Sequence, residues 1–114
     1  MKRIEAIIKV DKLNSVVDAL GKIGVIGLTV LRSQGRGTGE RPEIGGARGT
    51  TKYASAYNNS NTLITVVDES KVDPTVSAIT DAASTGKKGD GKIFISTIDE
   101  SVDIATKKKE EENI

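Results

Sequence analysis

The 114-residue sequence predicts an α+β fold in which two helices pack on a four-stranded antiparallel sheet. The hydrophobic pattern twice switches from the two-residue period of a strand to the 3.6-residue period of a helix and back. Two similar halves, at 2–34 and 62–98, therefore each have the order β-α-β, with a long Gly-rich segment between them. This is the order of a ferredoxin-like βαββαβ sandwich.

The first half predicts a strand, a helix and a second strand. Residues 2–10 alternate apolar and charged side chains, as a half-buried strand does. Residues 12–23 carry apolar side chains along one helical face, and Gly24 follows as a C-terminal stop. Residues 26–34 are apolar and β-branched, which predicts the second strand.

The second half repeats this order. Residues 62–68 predict the third strand, and residues 92–98 predict the fourth. Asp73 as N-cap and Pro74 at the first helical position predict the start of the second helix. The pair Thr85-Gly86 predicts the end of that helix.

At this length we expect one domain over residues 1–114. The segment 37–60 is too long for an ordinary connection in a small domain, so we interpret it as a functional loop. The tail, 99–114, is polar and ends in a charge run, so the sequence leaves open whether it is ordered.

Two helices can cover only one face of a four-stranded sheet. The second and third strands are nevertheless apolar on both sides, with Leu31, Ile64 and Val66 on the second side. We expect subunit association to bury that face, and a loop folded back over it is the alternative.

Composition excludes several function classes. The chain has no His and no Cys, which removes disulfides, the usual zinc sites, Cys–His nucleophiles and Ser-His-Asp triads, and we expect no metal. Phe94 is the only aromatic residue in a predicted strand, so a base-stacking platform is absent. The net charge of +1 also lacks the basic excess of a nucleic-acid binder.

The N-terminal segment, 1–5, carries charges and lacks the apolar run of a signal peptide. No stretch approaches the roughly 18 apolar residues of a membrane-spanning helix. We therefore expect a cytoplasmic protein without direct membrane insertion.

Two Gly-rich segments, 35–41 and 85–92, are the candidates for binding chemistry. Consecutive backbone N–H groups freed by glycines form concavities that bind phosphate, and Lys92 would add a point charge. Neither segment is a Walker P-loop or a dinucleotide fingerprint. Ordinary Gly-rich turns are the alternative interpretation.

Residues 1–37 and 62–98 also resemble the PII signal-transduction proteins. The similarity lies in the opening MKRIEAIIK at 1–9, in GLTV at 27–30 and in the Gly-rich turn at 35–37. The segment TGKKGDGKIF at 85–94 nearly reproduces a signature of that family.

The resemblance implies a cytoplasmic homotrimer that binds ATP or ADP in three clefts between subunits. It also implies a loop that docks on a partner such as an ammonium transporter or a nitrogen-assimilation regulator. The implied nucleotide-binding residues are Ile7, Thr29, Gly35, Arg36, Gly37, Thr38, Val66, Gly89, Asp90, Gly91 and Lys92. The implied partner-binding residues of the loop are Arg41, Arg48, Tyr53 and Tyr57, and either Tyr is a candidate for modification.

The sequence departs from the family pattern at four places. Thr38-Gly39 and Ser60-Asn61 stand where the family has a Gln and a Lys that hold metal and 2-oxoglutarate. Asp103 and Ala105 replace two Arg that reach phosphates, and Ile64 replaces an acid that reads adenine. We therefore expect that 2-oxoglutarate with Mg²⁺ is not bound in the usual way, and that fewer phosphates are favoured.

These departures motivate one alternative, a PII-like sensor of another small metabolite or anion, such as bicarbonate, together with ADP or AMP. A weak nucleotide hydrolase is the alternative from another class, with Glu40, Glu43 or Asp90 as base. We expect no enzyme, because the sequence positions neither a metal nor a water for such a step.

Overall fold

The computed structural model describes residues 1–37, 43–45, 52–54 and 57–110. The strands are β1 (Lys2–Lys9), β2 (Thr29–Gly35), β3 (Glu43–Gly45), β4 (Lys52–Ala54), β5 (Asn58–Val67), β6 (Gly91–Thr97), β7 (Ser101–Val102) and β8 (Lys109–Glu110). The helices are α1 (Leu13–Lys22) and α2 (Val72–Ala83), each preceded by a short 3₁₀ turn.

The main sheet has the strand order β2-β5-β1-β6. Both neighbours of β1 run antiparallel to it, and so does β2 to β5. Two helices and an antiparallel sheet in this arrangement form the ferredoxin-like α+β fold, as the sequence predicts. The pairs β3–β4 and β7–β8 are separate two-stranded ribbons.

The core lies between the helices and one face of the sheet. Ile4, Ala6 and Ile8 alternate along β1 and are almost fully buried. They pack with apolar side chains of β5 and of both helices, namely Leu63, Val16, Leu20 and Ile79. The period-two pattern of β1 therefore places its apolar residues under the helices and its charged residues on the other face.

The face away from the helices is partly apolar as well. Leu31, Ile64 and Phe94 lie on it, as the strand register shows through their pairing with Thr62 and Glu5. Leu31 is 51% exposed and Phe94 is 50% exposed. The second apolar side that the sequence predicts is therefore present, and within the described residues no helix covers it.

Strand β5 begins at Asn58, four residues before the predicted start, so the expected loop 37–60 is wrong at its last three residues. Asn58–Asn61 pair with Arg32–Gly35 through the backbone. Because these residues are mostly polar, the hydrophobic pattern of the sequence does not predict this pairing. Side-chain hydroxyls reinforce the pairing, since Ser33 Oγ lies 2.8 Å from Ser60 Oγ. Strand β2 begins at Thr29 instead of residue 26.

Helix α2 begins at Val72, so Asp73 is not its N-cap and Pro74 is not its first residue. The 3₁₀ turn Glu69–Lys71 runs directly into the helix and leaves Lys71 in the capping position. Pro74 still lies within the first turn, where backbone N–H groups have no helical partner and proline is tolerated. The helix ends at Ala83, two residues before the predicted stop.

The polar tail forms a short two-stranded ribbon within residues 101–110. Strands β7 and β8 pair there, and Asp103 closes their turn. Its carboxylate accepts a hydrogen bond from Thr106 N at 2.8 Å, and its own N–H donates to Lys108 O at 2.9 Å. Residues 111–114 lie outside the described chain.

At Gly91 the backbone of β6 comes very close to the backbone of β1. It opens β6 with a φ of 126°, and a Cβ built there would lie 1.9 Å from the carbonyl oxygen of Ile7. Only glycine combines that φ with that close approach. The start of β6 can therefore pair with β1 only because residue 91 has no side chain.

We predict that Gly91→Ala destabilises the chain by about 2–4 kcal/mol, from overpacking and backbone strain together. Gly21→Ala is the matched control, because it lies in α1 with no atom within 4 Å of the new methyl. That control should gain up to about 1 kcal/mol from helix propensity. Urea unfolding at one fixed protein concentration measures both, and equal stability of Gly91→Ala and wild type would contradict the contact.

Candidate functional site

The two Gly-rich segments meet at one end of the sheet. Strands β1 and β2 end there, and β5 and β6 begin there, because neighbouring strands are antiparallel. Gly35 and Gly91 thus lie at the same end, as the sequence predicts. They lie on opposite edges, however, three strand spacings or about 14 Å apart across the sheet, and Gly35 is also displaced by about 10 Å along the strands, since Arg32 is the residue level with Gly91.

The loop between α2 and β6 is closed by the carboxylate of Asp90. That carboxylate accepts hydrogen bonds from Thr85 N at 2.7 Å, from Gly86 N at 2.9 Å and from the Thr85 hydroxyl. Lys9 Nζ lies 3.4 Å from Asp90 Oδ1. The Thr85 hydroxyl and amide, the Gly86 amide and Lys9 together lower the pKa of Asp90 from 3.8 to about 2.

Asp90 therefore holds the loop in shape, and both of its carboxylate oxygens already form contacts within the chain. A carboxylate with a pKa of about 2 is also a poor general base at neutral pH. The sequence interpretation missed Thr85 and Lys9 as its partners. A Thr five residues before an Asp, across a Gly-rich turn, is the signal that could have found the first of them.

The outside of this loop is cationic. Lys87, Lys88 and Lys92 are exposed, and none of them forms an ion pair within the described residues. The backbone N–H groups of Lys88 and Gly89 donate no hydrogen bond to the described chain. Free amides beside unpaired ammonium groups are the elements of a phosphate site.

A groove of about 320 Å³ runs past this end of β6. Four residues of the predicted nucleotide site line it, namely Ile7, Asp90, Gly91 and Lys92. Its other wall is apolar and belongs to α2, with Val76, Ile79 and Ala83. These four predicted residues are therefore neighbours, and Lys92 is paired with Ile7 in the strand register. The register turns the side chains of Ile7 and Lys92 to the face away from α2, so the groove itself is not on the face of the predicted cleft.

Thr29 and Val66 are not part of this cluster. Thr29 opens β2 three strand spacings from β6 and is level with Glu5 in the middle of β1, and Val66 lies next to the end of β5. Val66 is four residues along β5 from the partner of Ile7, or about 13 Å. One chain therefore presents the predicted nucleotide site as two separate halves.

Neither the backbone conformation nor the packing of the described chain requires glycine at positions 35 and 37. Neither has a positive φ, and nothing lies within 4 Å of a Cβ built at either position. Gly35 pairs with Asn58 as the last residue of β2, and Arg36 beside it is exposed. Positive-φ backbone, expected at a phosphate nest, occurs instead at Gly89 and Gly91 in the second segment.

Several predicted positions lie outside what the structure describes, namely Thr38, Glu40, Arg41 and Arg48. Tyr53 and Glu43 are placed by their backbone alone, in the ribbon β3–β4. Tyr57 immediately precedes β5 and is 53% exposed.

Within the described residues, no group of three or more acidic side chains is arranged to hold a metal ion. None of the described helices has the length and apolar character needed to cross a bilayer.

The lowered pKa of Asp90 predicts a specific pH dependence. Because the folded-state pKa lies below 3.8, the ionised carboxylate contributes stability that is fully present above about pH 4 and is lost as pH falls through about 2. The stability difference between wild type and Asp90→Asn should therefore shrink over that window. Urea unfolding of both proteins at several pH values between about 5 and 2 measures it.

Thr85→Val provides the control, because it removes the largest cause of the shift and keeps the side-chain volume. It should move the pH midpoint upward, towards 3.8. A difference between wild type and Asp90→Asn that does not change with pH would contradict the assigned hydrogen bonds.

Comparison with known proteins agrees with this architecture. The sequence model of the family described as "Nitrogen regulatory protein P-II" matches residues 1–108. A nitrogen regulatory protein P-II from Synechocystis sp. is 40% identical over 116 residues, which covers 100% of both chains. A protein of that name from Azospirillum brasilense is 38% identical, and the match covers 96% of both chains. One from Rhodospirillum rubrum is 39% identical, and the match covers 93% of both chains. The resemblance in the sequence is thus confirmed, and the chain belongs to the nitrogen regulatory protein P-II family.

Proposed function

We propose that this chain is a PII-type signal-transduction regulator that binds adenine nucleotides in clefts between the subunits of a homotrimer. The long loop that follows β2 passes the ligand state to a partner protein. The observation that carries the proposal is the division of the predicted nucleotide site into two separated half-sites on one sheet face, two to three strand spacings apart. A second copy of the chain is the simplest means of uniting them.

The two half-sites have complementary chemistry. The half at Gly89–Lys92 offers free amides and lysine charges for phosphates. The half at Thr29 and Val66 offers a hydroxyl and an apolar side chain on the same sheet face, which suits a base and its exocyclic groups. A nucleotide has these two chemistries at its two ends.

The open sheet face supports association of the subunits. Ile7, Ile64 and Val66 form an apolar patch with Leu31 and Phe94, which are each half exposed. Exposed apolar area of this kind on a small protein marks an interaction surface. A trimer would cover it and place the Thr29 half of one subunit beside the Lys92 half of the next.

The structure supports the expectation that 2-oxoglutarate with Mg²⁺ is not bound in the usual way. Ser60 Oγ is engaged with Ser33 Oγ, and Asn61 is buried on the helix side of the sheet. Neither supplies a cation for an oxo-acid. A ligand carboxylate would lose a charge-assisted hydrogen bond worth about 1.5–3 kcal/mol.

Asp103 supports the alternative, a sensor that binds ADP or AMP with another small metabolite or anion such as bicarbonate. Its carboxylate accepts from Thr106 N, and this hydrogen bond lowers the pKa of Asp103. A permanently negative side chain in the tail would repel a triphosphate more than a monophosphate. The preference between ATP, ADP and AMP therefore separates the two candidates.

The partner is proposed by analogy with the family, as an ammonium transporter or another protein of nitrogen metabolism. Tyr57 lies at the root of the loop and is half exposed, and tyrosine is a frequent anchor of interfaces. Catalysis is not part of the proposal, since Asp90, the described candidate base, is committed to the loop.

We predict that Lys92→Ala weakens nucleotide binding in the order ATP, then ADP, then AMP, because the ammonium group contacts phosphates. For ATP the loss should be about tenfold or more, the value of one charge-assisted hydrogen bond. Calorimetry with each nucleotide, with and without 2-oxoglutarate and Mg²⁺, measures this, and light scattering gives the subunit number. Lys22→Ala, at the exposed end of α1, is the matched control.

Failure of the wild type to bind any adenine nucleotide would contradict the proposed function. An equal loss for AMP and ATP in Lys92→Ala would contradict the phosphate role of Lys92. Synergy between ATP and 2-oxoglutarate would contradict the interpretation of Ser60 and Asn61.

A further inference from the structure

Lys9, at the end of β1, contacts the carboxylate of Asp90 from outside the loop that this carboxylate closes. Asp90 Oδ2 accepts hydrogen bonds from Thr85 N and Gly86 N, and Oδ1 accepts one from the Thr85 hydroxyl. Lys9 Nζ lies 3.4 Å from that same Oδ1. Within the described residues, Lys9 is thus the only partner of this carboxylate that belongs to the sheet.

The strand register places Lys9 beside the proposed phosphate site. Ile7 pairs with Lys92, and both side chains point to the face away from the helices. Because side chains alternate along a strand, Lys9, two residues beyond Ile7, lies on that face as well. The contact between Lys9 and Asp90 therefore borders the place where phosphates would lie.

The loop turns twice through backbone that favours glycine, with a φ of 81° at Gly86 and 91° at Gly89. Because glycine backbone is permissive, these turns alone do not fix the direction of the free amides of Lys88 and Gly89. The carboxylate of Asp90 ties the start of the loop to its end, and Lys9 ties that carboxylate to β1. The orientation of the free amides therefore depends on both contacts.

Lys9 also balances a negative charge at the border of the site. The hydrogen bonds from the Thr85 hydroxyl and amide lower the pKa of Asp90 to about 2, so this carboxylate is ionised at neutral pH. An unbalanced carboxylate would repel a phosphate, and the ammonium group of Lys9 offsets that repulsion. Lys92, by contrast, has no ion pair within the described residues and keeps its charge for a ligand.

We infer that Lys9 is a positioning residue for the phosphate site, acting through Asp90 without touching the ligand. This role rests on the proposed function, because it concerns the site that would receive the phosphates of the nucleotide. Direct contact of the Lys9 ammonium group with a phosphate is the competing role, and it would require Lys9 to leave Asp90.

Calorimetric titration of the intact protein with inorganic pyrophosphate, and separately with ATP, tests this role. Lys9→Ala should weaken both ligands about two- to fivefold, the effect of losing one partly exposed ion pair. Lys9→Arg should restore binding, because a guanidinium group can make the same contact with the carboxylate. Lys22→Ala removes an exposed charge at the end of α1 and should leave both ligands unchanged.

A double-mutant cycle with Asp90→Asn separates action through Asp90 from direct contact with the ligand. Once the charge of Asp90 is gone, Lys9→Ala should have no further effect on pyrophosphate binding. Losses that add in the double variant would overturn the inference in favour of direct contact. Equal binding of pyrophosphate by wild type and Lys9→Ala would overturn it as well.

Amide hydrogen exchange of the protein without ligand, followed by NMR, gives a second readout. The amides of Thr85 and Gly86 donate to Asp90, so both should exchange faster in Lys9→Ala, while the amides of α1 keep their wild-type rates. Unchanged exchange at both positions would overturn the role of Lys9. Failure of the wild type to bind either pyrophosphate or ATP would instead contradict the proposed function.

Discussion

The arrangement of this protein depends on one constraint, that both helices pack on the same face of a four-stranded sheet. Strand β1 is central in the sheet. Its alternating Ile4, Ala6 and Ile8 pack in one core with residues of both neighbouring strands and both helices. Within the described residues no helix packs on the opposite face. The half-exposed Leu31 and Phe94, and both halves of the proposed nucleotide site, lie on that face.

The edge strand β6 shows how the loop chemistry is tied to this core. Gly91 lets the strand approach the Ile7 carbonyl, and Asp90 immediately before it folds the loop on itself. The contact with Lys9 connects the loop to the end of β1. The loop is thus held in shape by its own carboxylate, while its lysines and free amides stay turned outward for an anion.

Sequence periodicity predicted the elements that bury an apolar face and failed where polar residues form structure. The pattern of Ile4, Ala6 and Ile8 leaves little choice of strand or face. The start of β5 at Asn58 depends on backbone pairing and hydroxyl contacts, which have no hydrophobic period. The turn at Asp103 likewise depends on local side-chain hydrogen bonds.

For the candidate site, too, the sequence could predict the position of some residues and not of others. Ile7, Asp90, Gly91 and Lys92 could be predicted, because a specific Gly-rich motif carries three of them and the strand register brings Ile7 opposite. That Thr29 and Val66 would lie three and two strand spacings away from the strand of Lys92 required the strand order. The burial of Asn61 required the packing, since a polar residue in a strand gives no hydrophobic period that would predict it.

The central claim is that each nucleotide cleft is shared between two copies of the chain. A complementation experiment tests it most directly, with Thr29→Asp disabling one half-site and Lys92→Glu disabling the other. Each variant alone should fail to bind ATP in calorimetry, and oligomers reassembled from a mixture should regain a fraction of wild-type sites, where two unaltered halves meet. If the mixed oligomers bind no more ATP than the separate variants, the site does not form between subunits.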